Sequence, residues 1–171
     1  MAQDDISFSI LGLKELNNTL GQLGPAYKYK GARFALRKAA NLVRDAAKQN
    51  ALRLDDPETA SAIAENIAVR FSSRRFKNTG DVMFRVGVRG GAKQEKNQSV
   101  DPGLPGGGTQ HWRFPEFGYI HKKSGEHVPP TPFMRPALEE NIDKAVGEFV
   151  DQLDKWTARN LKKLQKQGAI K

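Results

Sequence analysis

The stretch Trp112–Leu138, WRFPEFGYIHKKSGEHVPPTPFMRPAL, decides how the rest of the chain is read. It holds five aromatic residues and five prolines, and it leads through Phe133-Met134-Arg135-Pro136 into the longest helical pattern in the sequence. Trp112, Phe114 and Phe117 form an apolar run; Pro115 marks an edge or kink and Gly118 permits a turn, which predicts a short strand returning to a sheet. The segment Val128-Pro129-Pro130-Thr131-Pro132 donates few backbone hydrogen bonds and holds an extended shape at low entropic cost. It suits a rigid strap, laid across its own sheet or onto a neighbour.

Downstream of Pro136, Leu138, Ile142, Ala145, Phe149, Leu153 and Trp156 recur at helical spacing. Glu139 and Glu140 near the start and Lys162, Lys163 and Lys166 near the end follow the charge order that a helix dipole favours. A helix over 136–166 would extend roughly 45 Å at 1.5 Å per residue, which outruns a small domain. Its first half is apolar enough to pack on a sheet. From Lys155 to Lys171 it carries six positive charges and no acid.

Upstream, Ile6, Phe8 and Ile10 alternate with serines as in a half-buried strand, and Leu13, Leu16, Leu20 and Leu23 predict a short amphipathic helix. Pro25 opens a second helix. Between Ala32 and Ala51 its inward stripe would be Leu36, Ala39, Ala40, Val43 and Ala47, small enough for close helix packing, with a basic opposite face. Asp56-Pro57-Glu58 reads as a helix start carrying Ala60, Ile63, Ala64 and Ile67 inward. Val69, Phe71 and Ser73 alternate with arginine and serine, and Val82, Phe84, Val86 and Val88 alternate with Met83, Arg85 and Arg89. With Asn78-Thr79-Gly80-Asp81 between them, these runs predict a hairpin. From Gly90 to Gln110 there is no apolar periodicity, and a loop of about twenty residues is long for a compact domain. Such a loop is either disordered alone or ordered by a partner. The expected fold is therefore α+β: a small antiparallel sheet packed by two or three helices, with a long Gly-rich loop and a long C-terminal helix. Residues 1–154 would form one domain, with the loop at about 90–110, and 155–171 a basic helical extension.

The chain has 171 residues, a formal net charge of +9 and no cysteine, so disulfides, thiolate metal sites and cysteine nucleophiles are excluded. The first residues are acidic where a signal peptide would be basic, and no apolar run approaches the roughly twenty residues of a membrane span. A soluble cytoplasmic product without membrane contacts is expected. His111, His121 and His127 are the only histidines. The spacing of His121, Glu126 and His127 fits no recognised zinc pattern, and no nucleophile elbow, metalloprotease helix or dinucleotide fingerprint is present. The glycine run lacks the Gly-Lys-Ser/Thr ending of a phosphate loop. No cofactor, metal site or enzymatic activity is expected.

Arg70, Arg74, Arg75, Lys77, Arg85 and Arg89 cluster along the predicted hairpin with Phe71, Phe76 and Phe84 between them. Cations interleaved with aromatics are the recipe for a single-strand groove. Phe71 and Phe84 occupy the apolar phase of the alternation, so the competing reading puts them in the core and leaves the arginines as a solvated sheet face.

The order of these elements, with Phe114-Pro115-Glu116-Phe117-Gly118 and then Pro132-Phe133-Met134-Arg135-Pro136-Ala137-Leu138, resembles the tail-completion or head-to-tail joining proteins of long-tailed bacteriophages, the gene-product-ten-like family of lambdoid phages. The resemblance runs from about Ile10 to Phe149. It implies a structural virion protein of the neck, present as an oligomeric ring between the head connector and the tail tube or tail terminator proteins, with genomic DNA passing through and assembly in the host cytoplasm. On that reading Trp112, Phe114, Glu116, Phe117, Gly118, Phe133, Met134, Arg135 and Pro136 anchor the fold and its interfaces, with Arg135 pairing with Glu116. The alternative is a stand-alone basic nucleic-acid-binding protein.

Overall fold

A computed structural model describes residues 25–54, 62–89 and 109–166; the predicted strand at 6–10, the helix at 13–23, the helix start at Asp56 and the body of the glycine-rich stretch lie outside them. Helix α1, Pro25–Ala51, is the spine of the molecule. Its buried residues fall at every fourth position, Ala35, Ala39, Val43, Ala47 and Ala51, while Leu36 and Ala40 flank that row half-buried. A row of small side chains at i, i+4 spacing lets partner helices approach closely.

A short helix, α2 (Ile63–Asn66), leads directly into strand β1 (Ile67–Phe71). Ile67, expected to end a helix, instead opens the strand, paired with Val88. Strand β2 (Phe84–Val88) runs antiparallel to β1 with Arg70 opposite Arg85 and Phe71 opposite Phe84. The connection is not the tight turn that the sequence suggests. Ser73–Thr79 forms a two-turn helix, α3, and Gly80 ends it in the left-handed region, φ +77°, donating its N–H to the Phe76 carbonyl at 2.9 Å. The Asn-Thr-Gly-Asp signal is therefore a helix C-cap. Phe76 accounts for the helix: its ring meets Tyr29 edge-on at 5.4 Å and Phe71 at 5.7 Å, pinning α3 to the start of α1.

The expected third strand at Trp112–Phe117 is absent. Gln110–Trp112 makes a 3-10 turn and Arg113–Phe117 a short helix, α4. Pro115 is tolerated there because it lies within the first turn, where the N–H has no helical acceptor. Thr109, ahead of the 3-10 turn, is buried, and its hydroxyl accepts a hydrogen bond from the Asn66 amide at 2.8 Å. Tyr119–Ile120 (β3) and His127–Val128 (β4) pair with each other in a separate two-stranded ladder. The long terminal helix is also interrupted: α5 (Met134–Glu139) ends at Glu140-Asn141, and α6 (Ile142–Lys166) begins after it.

Helix α6 packs on α1 and not on the sheet, as its apolar first half had suggested. Leu153 buries against Ala35, and the Trp156 ring occupies the space above Gly31, where a Cβ would lie 2.6 Å from the indole. Gly31 precedes Ala35 while Trp156 follows Leu153, so the two helices run antiparallel. The α6 helix crosses 154–155 without a break, and Thr157 is buried with its hydroxyl donating to the Leu153 carbonyl at 2.7 Å. The main core lies at the other end of α1, where Ala47 and Ala51 meet Ile63, Ala64, Ile67, Phe133 and Ala137. Small antiparallel sheets packed by several helices, with a 25-residue terminal helix, make the fold α+β.

Candidate assembly interface

The segment read as the organising centre of the sequence is built around one carboxylate. Glu116 is 4% exposed, and its two oxygens accept the backbone N–H groups of Phe133, Met134 and Arg135 at 2.9, 2.9 and 3.2 Å. These donors open α5, where a helix has N–H groups without internal acceptors and a partial positive charge. The contact with Arg135 is thus made by its backbone. Its exposed guanidinium forms no ion pair with Glu116, contrary to the pairing expected from the sequence.

Around this cap the other anchor residues divide into two sets. Phe133 is fully buried in the main core, and Met134 and Trp112 pack against that core half-buried. The Asn50 amide donates to the Phe133 carbonyl at 3.3 Å, joining α1 to the cap. Gly118 has φ +71°, and a Cβ there would lie 2.8 Å from the Val128 carbonyl oxygen, so only glycine lets the chain pass beneath the proline strap. The strap is tied to α4 by the Thr131 N–H, which donates to the Pro115 carbonyl at 2.7 Å. Sequence reasoning missed this strap-to-helix bond and the Asn50 contact, because both depend on residues far apart in the chain.

Phe114 and Phe117 face solvent instead of the core, 52% and 61% exposed, and Ile120 is 67% exposed. The Phe114 ring leans on Tyr119 at 5.1 Å and the Phe117 ring on Trp112 at 6.1 Å. Beside the cap lies an open cleft of about 470 Å³, lined on its apolar side by Val43, Val86, Met134 and the half-exposed Leu138, with Glu116 and Arg135 also contributing. Single exposed apolar residues are ordinary, whereas three large ones at 114, 117 and 120 of one short segment make it a candidate contact surface.

Chemistry at this surface is limited. The His121 ring nitrogen meets the Ser124 hydroxyl at 3.0 Å within the β3–β4 turn, and among the described residues no group of His, Asp and Glu is placed to hold a metal ion. No described helix is long and apolar enough to cross a membrane.

Residues 14–118 match the family model described as "Bacteriophage HK97-gp10, putative tail-component". The chain belongs to this family. The matched residues take in α1, the β1–β2 sheet and the Phe114–Gly118 segment with its buried Glu116; the Pro132–Leu138 motif and α6 lie beyond them. No curated protein and no solved structure matches the chain. As a member of a phage tail-component family, the protein is a virion constituent that works among other phage structural proteins.

The cations assigned to the hairpin are distributed over the β1–β2 pair and α3. Arg70 and Arg85 are exposed and directly opposite each other, and Arg74 and Lys77 are exposed on α3. Arg75 is engaged by Asp81 at 3.1 Å. Arg89 lies at the far end of β2, half-buried, with its backbone N–H bonded to the Asn66 carbonyl. Phe71 and Phe84 do face α1 as the alternation implied, but they are covered by α1 cations: Arg33 sits 3.9 Å from the Phe71 ring centroid and Arg37 5.6 Å from that of Phe84. Both arginines belong to the basic face expected on α1, but their place over these rings was not foreseen. Their spacing of four, matched to a strand pair one helix away, is a signal only once α1 and the sheet are known to pack.

Proposed function

We propose that the protein is a structural component of the phage neck, completing the tail or joining it to the head as one subunit of an oligomeric ring. The observation that carries this reading is the exposure of Phe114, Phe117 and Ile120 on a segment tied down by the Glu116 cap, the Gly118 turn and the proline strap. Flexible apolar side chains would lose entropy on docking; side chains already fixed lose less, and aromatic anchors supply most of the energy at protein interfaces. In a closed ring each subunit offers two different surfaces to its neighbours, and the open cleft beside the cap supplies a concave counterpart to the convex band.

The role is structural and not enzymatic. The contacts are other copies of the chain, the head connector, and tail tube or tail terminator proteins, in a virion assembled in the host cytoplasm. Residues 1–154 act as one α+β domain, and the basic 155–171 extends it along α6, with Trp156 still packed against α1. A stand-alone basic nucleic-acid-binding protein ranks lower, because the guanidinium groups of Arg33 and Arg37 lie over the aromatic faces that the bases of a single strand would need. The test is genetic and microscopic: phage lacking the gene should accumulate separate heads and unfinished or unattached tails, visible by negative-stain microscopy. Normal yields of complete, infectious particles would refute the proposal.

A further inference from the structure

We propose that residues 6–10, which lie outside the described residues, add to the free edge of β2 as a third, antiparallel strand, with Ile6, Phe8 and Ile10 entering the cleft between α1, β2 and α5. The proposal does not rest on a role in the neck. The segment takes the sheet side of the cleft, along Phe84 and Val86, and leaves Met134 and Leu138 on the α5 side to a neighbouring subunit.

The β1–β2 ladder fixes which groups that edge offers. The Ser72 N–H donates to the Met83 carbonyl and the Arg89 N–H to that of Asn66, so Met83, Arg85, Gly87 and Arg89 turn their backbone groups to β1. Phe84, Val86 and Val88 therefore turn theirs outward, and among the described residues no backbone group meets them. On the α1 side of the sheet, Phe84 and Val86 join Ala40 and Val43 in lining the cleft, to which β1 contributes nothing. An uncovered strand edge beside an apolar cleft is a template for another strand.

Pattern, reach and charge select residues 6–10 as the occupant. Ile6, Phe8 and Ile10 alternate with Ser7 and Ser9, so a strand there turns three apolar side chains into the cleft and both serines to the opposite face, beside Arg85. Arg37 lies over Phe84, which sets that end of β2 about 18 Å along α1 from Pro25, a distance that residues 11–24 span even with a helix over 13–23. An antiparallel course puts Ile10 at this near end, opposite Phe84, and Ile6 opposite Val88. Asp5 then stands across from Arg89, whose Nε is buried and has no acceptor. Opposite charges facing each other on neighbouring strands attract, so this register supplies the acceptor that Arg89 lacks.

The chain has no cysteine of its own, so an introduced disulfide reads the pairing directly. In this register Ser7 faces Gly87 as a non-hydrogen-bonded pair with Cα atoms about 4.5 Å apart, within disulfide range, and a Cβ at Gly87 meets nothing within 4 Å. Full-length protein carrying Ser7→Cys and Gly87→Cys, treated with oxidised glutathione, should form a bond within one chain, seen by peptide mapping. Ser7→Cys with Ser124→Cys, on the distant β3–β4 turn, should stay reduced. In the unmodified protein, hydrogen exchange followed by NMR should find the Phe84, Val86 and Val88 amides protected. Ile6→Asp with Phe8→Asp should speed their exchange at least about tenfold while the Arg85 and Gly87 amides, bonded to β1, stay slow. A Ser7–Gly87 cysteine pair that stays reduced, or edge amides that exchange as fast in the unmodified protein as in the double variant, would overturn the proposal. So would a disulfide found only between two chains, which would give the edge to a second copy, or equal oxidation of the Ser124 control.

Discussion

The carboxylate of Glu116 accepts the backbone N–H of Phe133 at 2.9 Å, joining two helices 17 residues apart in the chain and setting the direction in which α5 leaves the strap. The same oxygen takes Met134 and the other takes Arg135. Hydrogen bonds to a charged acceptor contribute about 1.5–3 kcal/mol, and buried donors left without one cost about 1–3 kcal/mol. Glu116→Ala should therefore lower stability by about 3 kcal/mol, read as a fall in the urea midpoint. Glu116→Gln keeps one acceptor oxygen and should cost about half as much. Arg135→Ala, whose backbone still donates, should leave the midpoint nearly unchanged.

Gly118→Ala places a Cβ 2.8 Å from a backbone oxygen and 3.1 Å from Pro130, at a positive φ that side chains rarely adopt. Neither neighbour is a flexible side-chain end, so the strap must shift. A loss of about 1–3 kcal/mol is expected, measured by thermal unfolding. Gly125→Ala also has a positive φ but meets no atom within 4 Å, so its cost should be smaller and confined to backbone strain.

Gly31→Ala separates two opposing effects. Alanine inside a helix gains about 1 kcal/mol over glycine, whereas overpacking costs about 1–3 kcal/mol. The added methyl would lie 2.6 Å from Cε3 and 3.1 Å from Cδ2 of Trp156, the body of the indole and not a flexible tip. Packing should win, giving a net loss and a changed tryptophan fluorescence maximum. In Trp156→Leu the same substitution should become neutral or stabilising.

Asp81 carries a carboxyl held below its ordinary value, first by the hydrogen bond with Thr79 and then by Arg75, against a smaller opposing effect of desolvation. A depressed folded value means that the charged form favours the folded state. The contribution is present above the unfolded value of about 3.9 and is lost as pH falls through the folded value. Carbon-detected NMR titration should place the Asp81 midpoint below that of an ordinary Asp, and Thr79→Ala and Arg75→Ala should each raise it.

The sequence carried the helices better than the connections. The α1 and α6 patterns are long and amphipathic, and both are present as such, because a stripe sustained over many turns has one physical solution. The β1–β2 pairing also followed from alternation. Short aromatic segments misled for a tertiary reason. Trp112, Phe114 and Phe117 look like a strand, yet Glu116 between them is needed as the cap of α5, and one helical turn is the geometry that delivers it. Asn78-Thr79-Gly80-Asp81 carries the same local chemistry in a hairpin turn and in a helix C-cap; Phe76 docking on Tyr29 selects the second. Phe133 and Glu116 of the motif are buried together at the start of α5, whereas the outward aim of Phe114 and Phe117 was not legible in it.

The account rests on the Phe114–Phe117–Ile120 band being a subunit contact, and native mass spectrometry of the purified protein, alone and mixed with tail tube and connector proteins, tests it most directly. The wild type should assemble into a discrete higher-order species, alone or on those partners. Phe117→Asp with Ile120→Asp, exposed changes expected to alter stability by no more than about 0.5 kcal/mol each, should give a folded monomer that no longer assembles. A wild-type protein that stays monomeric in every mixture, or a double variant that assembles as the wild type does, would contradict it.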